Sequence, residues 1–169
     1  TMTACALAPL IYGAIPVFAD VEIETGCLDP NSIRERISVN TKAILVVHQF
    51  GIPADMNEIM FIANEFGIKV IEDCAQSHGA MYKGKKTGSW GHFGSFSFCQ
   101  DKIMTTGGEG GMLVCDNKEL YEKAWSYKEH GKNYNTVFNT KHPPGFRWLH
   151  DSFGTNMRMT EMQAAIGVK

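Results

Sequence analysis

The sequence has 169 residues, of which 44% are hydrophobic and 20% are charged, a composition typical of one globular domain with a sizeable core. A formal net charge of -2 at pH 7 and an isoelectric point near 6.3 exclude the strongly basic surface that nucleic-acid-binding proteins use. No apolar run approaches the roughly 20 residues of a membrane-spanning helix, so we expect no membrane partner.

The cysteines are too widely spaced for a disulfide framework or a zinc site. They are Cys5, Cys27, Cys74, Cys99 and Cys115, and none belongs to a CxxC pair. This pattern predicts a reducing, cytoplasmic setting. The chain begins at Thr1 and ends within the helical pattern "EMQAAIGVK". We therefore expect it to be a piece of a longer protein.

Short apolar runs alternate with helical patterns in the first part of the chain. The alternation predicts βαβ units and a largely parallel sheet covered by helices, which is an α/β fold. In the second helix, apolar side chains recur at helical spacing from Met56 to Ala63 and indicate core packing, and Gly67 ends the helix. The predicted strands cover 15–21, 42–48 and 69–74, and the predicted helices cover 30–37 and 54–67.

The pattern changes after Cys74. The segment "MYKGKKTG" predicts a β-hairpin, and "GSFSFC" and "GGMLVC" predict two further strands.

The last part of the chain predicts two helices on either side of a long loop. We expect a helix over 117–131, with Asp116 as its N-cap and Gly131 as its end. The stretch 132–156 is aromatic, contains proline and glycine and has no clear period, which predicts a loop. Thr160 then caps a helix that starts in "TEMQAAIG".

Lys102 is the first candidate for chemistry. It follows the strand-like run "FSFC" and precedes a glycine-rich segment. A lysine acts as a covalent catalyst when it is held against a carbonyl and part of its population is unprotonated. The alternative is a solvated lysine, which is our interpretation of Lys83, Lys85 and Lys86. The residues alone leave both interpretations of Lys102 open.

Asp73 is the second candidate because it ends the run "KVIED". Its side chain should lie at the carboxyl end of a parallel strand, where open α/β sheets place their ligand crevice. A buried acid there needs a cationic partner, either a protonated ring nitrogen of a cofactor or a lysine or arginine of the protein. Glu72 should point to the opposite side of the strand and serve the structure.

Several other polar residues have two interpretations each. Ser97 could donate its hydroxyl to a phosphate or bond to neighbouring backbone, and Gln76 could reach a ring hydroxyl or cap the "CAQSHG" turn.

The segment "GGEGG" lacks the GK[ST] ending of a P-loop and precedes a strand, so it predicts close backbone approach. His48 is predicted to be a packed, hydrogen-bonded residue. The histidines show no ligand spacing, and we expect no metal site.

Five sequence blocks occur together in a specific order: "PADM", "VIEDCAQSHGA", "GSFSF" with a lysine five residues after its last serine, "GGEGG" and "RMTEMQAAIG". In this combination the sequence resembles the DegT/DnrJ/EryC1/StrS family of aminotransferases, which depend on pyridoxal 5'-phosphate (PLP) and act on nucleotide-linked keto sugars. The resemblance covers essentially the whole chain.

The resemblance implies a three-layer α/β/α fold with a mostly parallel mixed sheet, the large domain of the fold-type I (aspartate aminotransferase-like) PLP enzymes. Residues 1–169 would form the central part of that domain. An N-terminal segment and a C-terminal small domain would lie outside this chain.

The resemblance also implies roles for five residues. Lys102 would hold PLP as a Schiff base, and Asp73 would pair with the pyridinium nitrogen. Gln76 would lie near the ring hydroxyl, and Ser97 would bind the cofactor phosphate. Asn156 would reach the cofactor phosphate of the neighbouring subunit in a homodimer with shared active sites.

The implied reaction transfers an amino group from glutamate to a nucleotide-linked keto sugar, as in the biosynthesis of cell-surface polysaccharides or of glycosylated natural products. Two alternatives stay open: a sugar dehydratase of the same family, in which histidine replaces the lysine, and a non-catalytic PLP-fold protein. Intact Lys102 and Asp73 favour transamination. Where the family stacks an aromatic on the cofactor ring, this sequence has Met2, so the stacking contact is either missing or made by a thioether. Tyr134, Phe138, Phe146, Arg147 and Trp148 are candidates for substrate contacts, with packing as the alternative for each.

Overall fold

The computed structural model describes residues 2–145 and 148–169, so the candidates Phe146 and Arg147 lie outside the described residues. The helices are Ala4–Ile11 (α1), Pro30–Arg36 (α2), Met56–Phe66 (α3), Lys118–Lys128 (α4), Tyr134–Phe138 (α5) and Glu161–Gly167 (α6), with a 3-10 turn at Gln49–Gly51. The strands are Ala43–Val47 (β1), Lys69–Asp73 (β2), Met81–Tyr82 (β3), Lys85–Lys86 (β4), Phe93–Ser97 (β5) and Gly111–Val114 (β6). None of the described helices is long and apolar enough to cross a membrane.

Four strands form one mixed sheet in the order β1-β2-β5-β6. Strands β1, β2 and β5 are parallel, and β6 runs antiparallel to β5. Strands β3 and β4 form the predicted hairpin. Its turn residues Lys83 and Gly84 both have positive φ, 45° and 83°, which is the geometry of a tight hairpin turn. The prediction of a largely parallel sheet is confirmed.

The core lies on one face of this sheet. Ile44 pairs with Val70 in the parallel register, and both side chains are buried. Helices α2 and α3 cover them, and the apolar stripe of α3 is buried as predicted. Gly67 ends α3 in the left-handed conformation, with φ of 66°.

The prediction of a strand over 15–21 is wrong. Within the described residues this segment pairs only at Val21, in an isolated bridge with Leu28. Val17 and Phe18 are exposed. A strand needs a neighbour for its backbone groups, and this segment lacks one along most of its length. Helix α1, just before it, has no counterpart among the predicted elements, because it contains Pro9, a residue that usually interrupts helices.

The predicted helix over 117–131 is shorter and has a different cap. Its N-cap is Asn117 rather than Asp116, because the Asn117 side chain accepts a hydrogen bond of 3.0 Å from the backbone N–H of Leu120. Helix α4 ends at Lys128.

The stretch 132–156 is not an unbroken loop, because it contains α5. The side chains of Tyr134 and Phe138, one helical turn apart, both pack edge-on against Trp125 of α4, with ring centroids 5.2 and 5.1 Å away. For these two aromatics the packing interpretation holds. Thr160 caps α6 as predicted, in a capping box with Gln163.

Glu72 is a fully buried carboxylate whose hydrogen bonds join β2 to the turn before β5. It accepts backbone hydrogen bonds from Gly88, Trp90 and Gly91 at 2.7, 2.7 and 2.6 Å. The Nε2 atom of His48 lies 2.9 Å from its Oε2 atom. Four donors thus satisfy the two oxygens, and the structural role predicted for Glu72 is confirmed.

We predict that Glu72→Gln lowers the free energy of unfolding by about 2 to 4 kcal/mol, because an amide cannot accept on both sides and carries no charge. Burial raises the pKa of Glu72, but the hydrogen bonds that it accepts from His48, Gly91 and Gly88 lower the pKa by more than burial raises it. The net pKa is therefore below the ordinary value of 4.5. The stabilisation is therefore complete above pH 4.5 and is lost as the pH falls through the lowered pKa.

Denaturant titrations of the full-length protein at pH 7 and at acidic pH measure both effects. Glu119→Gln is the matched control, because the Glu119 and Lys123 side chains form an exposed pair 2.7 Å apart that should contribute little. An equal loss in the two variants contradicts the prediction.

Candidate active site

Asp73 and Ser97 lie on the face of the sheet opposite the core. Asp73 ends β2 and pairs with Ser95 of β5, and Ser97 lies two residues further along β5. Because side chains alternate along a strand, Glu72 points into the core and these three point to the other face. Ser95 is exposed there, and Asp73 and Ser97 are half-buried. The structure thus brings two of the predicted site residues together at the carboxyl edge of the parallel strands.

The Asp73 carboxylate has neutral partners on both oxygens. Its Oδ1 atom accepts a hydrogen bond from the backbone N–H of Ala75 at 2.9 Å. Its Oδ2 atom accepts one from the Cys5 thiol of α1, also at 2.9 Å. In the described part of the chain no lysine or arginine forms an ion pair with Asp73. The carboxylate is therefore suited to a cationic group of a ligand, such as a protonated ring nitrogen.

The segment that joins β5 to β6 is held by backbone hydrogen bonds between its two ends and by close packing at its last glycines. The backbone N–H of Phe98 donates to the Gly110 carbonyl at 2.8 Å, and that of Thr106 donates to the Phe98 carbonyl at 3.2 Å. A Cβ atom on Gly110 would overlap the Thr106 hydroxyl, and one on Gly111 would lie 2.9 Å from the Phe96 carbonyl oxygen. The close backbone approach predicted for "GGEGG" is confirmed.

Lys102 belongs to this anchored segment. Its backbone N–H donates to the Cys99 carbonyl at 3.1 Å, and its side chain is only 22% exposed. The Nζ atom lies 3.7 Å from the Asp101 carboxylate, which is 70% exposed. Lys102 is therefore held in a turn next to the end of β5, which favours the interpretation of a positioned lysine over that of a solvated one. No hydrogen bond links it to Asp73 within residues 2–145 and 148–169.

Ser97 and Gln76 both make local hydrogen bonds. The Ser97 hydroxyl accepts from the backbone N–H of Cys99 at 3.3 Å, which leaves its own hydrogen available for a phosphate oxygen. The Gln76 side-chain oxygen accepts from the backbone N–H of Phe50 at 2.7 Å and so supports a residue with positive φ, 52°. The Gln76 amide N–H groups have no acceptor among the described residues, so they can donate to a ring hydroxyl.

Asn156 lies on a different part of the chain, beside helix α4. It is exposed and forms an isolated antiparallel bridge with Glu129. Its side-chain oxygen accepts from the backbone N–H and the Nε–H of Arg158 at 3.3 and 3.1 Å. The amide oxygen is thus occupied, and within the described residues no hydrogen bond is formed by the amide N–H groups. No described contact joins Asn156 to the other candidate residues.

The Glu129 carboxylate forms ion pairs with three cationic side chains next to Asn156. Its carboxylate lies 2.5 Å from Lys128 Nζ, 3.7 Å from Lys132 Nζ and 3.6 Å from Arg158 Nε. Burial raises the pKa of Glu129. The hydrogen bond and charge of Lys128, with the charges of Arg158 and Lys132, lower the pKa by more than burial raises it, so the net pKa is below its ordinary value. One carboxylate among three cations leaves this corner positively charged.

One buried group of possible metal ligands is already engaged. The ligand atoms of His48, Glu72 and Cys74 lie within 4.8 Å of one another. His48 Nδ1 accepts from the backbone N–H of Ala54 at 3.2 Å, so Nε2 carries the proton that it donates to Glu72. Burial, with the nearby charge of Glu72, raises the pKa of Cys74 to about 12, which keeps it a thiol. We interpret the group as a structural hydrogen-bond network, with His48 packed as predicted.

Comparisons with known proteins place this geometry in context. The chain matches the DegT/DnrJ/EryC1/StrS aminotransferase family over residues 1–169. It belongs to this family. It is 40% identical over 156 residues to GDP-perosamine synthase of Escherichia coli O157:H7, an alignment that covers 92% of this chain and 40% of that protein.

Solved structures show the same fold. An aminotransferase from Psychrobacter cryohalolentis is 54% identical with a TM-score of 0.97, and the match covers 99% of this chain and 42% of that one. NtdA from Bacillus subtilis, solved with bound cofactor PMP, is 35% identical with a TM-score of 0.83, over 99% of this chain and 36% of that one. The predicted fold-type I aminotransferase fold is confirmed. The chain spans about two fifths of the length of these relatives.

Two parts of this arrangement were not predicted from the sequence. The Cys5 thiol meets Asp73 across a separation of 68 residues, and Glu129 joins Arg158 to the end of α4. Neither pair follows a helical or strand spacing. The contact between Cys5 and Asp73 could have been predicted only by placing α1 at the carboxyl edge of the sheet.

We predict that Glu129→Gln lowers the free energy of unfolding by about 1 to 3 kcal/mol, because it leaves three cations close together without their carboxylate. Thermal and denaturant unfolding of the full-length protein measure this loss. Glu65→Gln is the control, since Glu65 pairs at the surface with the single cation Arg34. A loss no larger than that of the control contradicts the prediction.

Proposed function

We propose that this protein is a PLP-dependent aminotransferase that moves an amino group from glutamate to a nucleotide-linked keto sugar. One observation carries the proposal: Asp73, a carboxylate without a cationic partner among the described residues, shares a sheet face with Ser97. Lys102 lies in the anchored segment that follows β5, the strand that carries Ser97. Membership of the family and a relative that is a GDP-perosamine synthase support the reaction class.

The roles of the residues follow from their chemistry. Bound PLP supplies an electron sink for breaking a C–H bond at the amino-bearing carbon. Asp73 holds the proton on the ring nitrogen by pairing with its positive charge. Lys102 would hold the cofactor through its amine, and the same amine, when free, would move protons as an acid-base catalyst.

The remaining residues position the cofactor. Ser97 donates its hydroxyl hydrogen to the phosphate, and the amide N–H groups of Gln76 donate to the ring hydroxyl. Asn156 donates its amide N–H groups to the phosphate of the neighbouring subunit in a homodimer with shared sites. Its exposure on this chain, with the amide oxygen occupied by Arg158, suits that role. Met2 takes the place of the ring-stacking aromatic.

The setting of the protein is part of the same proposal. Residues 1–169 form the central part of a large PLP-binding domain, which an N-terminal segment and a C-terminal small domain complete. The five cysteines are thiols, which suits a reducing cytoplasm. The dehydratases of the family carry histidine at position 102, whereas this chain has lysine. A non-catalytic role does not explain why both Lys102 and Asp73 are present.

We predict that the full-length protein with PLP shows an absorbance band that borohydride removes, with the cofactor fixed to the peptide that contains Lys102. Lys102→Ala should abolish both the fixation and amino transfer to keto nucleotide sugars, because the segment between β5 and β6 contains no other lysine. Lys83→Ala, on the exposed hairpin, is the control and should behave as the wild type. A wild-type protein without such a band refutes the proposed function.

We predict that Asp73→Asn still binds PLP but reacts with glutamate roughly 100-fold more slowly or worse, because a neutral amide does not hold the proton on the ring nitrogen. Single-turnover absorbance measurements give this rate. Asp116→Asn, at an exposed carboxylate just before α4, is the control. Near-normal turnover in Asp73→Asn would show that its carboxylate has no such role.

A further inference from the structure

Helix α1 is attached to the rest of the chain by hydrogen bonds more than by burial. None of its residues is buried. Near its start, the Cys5 thiol donates to Asp73 Oδ2 at 2.9 Å. Just after its end, the Tyr12 hydroxyl accepts a hydrogen bond from the Tyr127 hydroxyl at 3.0 Å, and the two rings pack edge-on. The contact of Cys5 with Asp73 therefore sets where the start of α1 lies relative to the carboxyl edge of the sheet.

The direction of this hydrogen bond is settled by chemistry. An ionised carboxylate can only accept, so the thiol is the donor. The backbone N–H of Ala75 holds the other oxygen, Oδ1. With one donor on each oxygen, rotation of the Asp73 carboxylate about its last side-chain bond is restricted. Each oxygen retains lone pairs that can accept a further hydrogen bond from a ligand.

The same helix turn carries Met2. The backbone N–H of Cys5 donates to the Met2 carbonyl at 3.3 Å, so the two residues belong to one turn. The Met2 side chain is 69% exposed and is not held by packing within the described residues. The position of Met2 therefore depends on what holds the turn, and the Cys5 thiol bonds that turn to Asp73 at the end of β2.

We propose that Cys5 is a positioning residue for the pyridine ring of the cofactor. Its thiol orients the Asp73 carboxylate toward the ring nitrogen and holds the Met2 turn at the same edge. This inference rests on the proposed PLP-dependent function. It assigns to Cys5 the donation of a hydrogen bond, a task that a serine hydroxyl can take over and an alanine methyl group cannot.

The test compares Cys5→Ala with Cys5→Ser in the full-length protein. Equilibrium dialysis gives the PLP affinity, and the induced circular dichroism of bound PLP reports how the ring is oriented. We expect Cys5→Ala to bind PLP about tenfold more weakly, with a reduced dichroism signal, because a hydrogen bond to a charged group is lost. Cys5→Ser should stay within about twofold of the wild type. A residue that only packs would give the opposite order, since serine is the more polar replacement.

Two further measurements do not depend on turnover. Bound PLP should slow alkylation of Cys5 by iodoacetamide, read by peptide mass spectrometry, with Cys115 as the internal reference because its thiol bonds to the Asn117 carbonyl away from Asp73. In the protein without cofactor, the losses of unfolding free energy from Cys5→Ala and Asp73→Ala should be non-additive, as expected for bonded partners. Cys115→Ala is the matched control for both variants of Cys5.

The outcomes separate the inference from the proposed function. Equal PLP affinity and dichroism in Cys5→Ala and Cys5→Ser, or no protection of Cys5 by PLP, overturns the positioning role while the borohydride-sensitive band at Lys102 stands. Additive unfolding losses overturn the bond itself. Failure of the wild-type protein to bind PLP overturns both.

Discussion

The buried carboxylate of Glu72 is the constraint on which the rest of the site depends. A charge without access to water must be satisfied within the protein, and here four hydrogen bonds from His48 and the turn 88–91 do so. Those bonds join the end of β2 to the start of β5 and set the register between them. Because side chains alternate along a strand, Glu72 inside the core forces Asp73 to the opposite, open face.

The polar side chains near this open face come from separate segments of the chain. Strand β5 brings Ser97 to the same face, and the segment after it, closed on itself through Phe98 and Gly110, holds Lys102 near the strand end. Helix α1 adds the Cys5 thiol from the start of the chain. A rigid sheet edge with polar side chains from separate segments is how open α/β folds build ligand sites. The absence of a lysine or arginine bonded to Asp73 in the described residues leaves its charge for a ligand.

The corner around Glu129 is a second polar centre with a different character. It is positively charged around the buried Glu129 carboxylate, and its exposed residue Arg158 bonds to the side chain of Asn156. Helices α4 and α5 support it with an aromatic cluster that includes Trp125 and Tyr134. In the proposed dimer this corner would be the part of the chain that reaches the cofactor phosphate of the other subunit.

The sequence alone determined the alternation of strands and helices, the α3 stripe, the hairpin, the α6 cap and the candidates Asp73 and Lys102, because periodicity, turn chemistry and residue type are local properties. The family resemblance added the roles of the site residues, which remain proposals. The tertiary structure decided what depends on distant partners. It left 15–21 without a strand neighbour, formed α5 from aromatics that pack on Trp125, and placed the Cys5 thiol on Asp73. Local patterns could not reveal these features, since each arises from a contact between segments far apart in the chain.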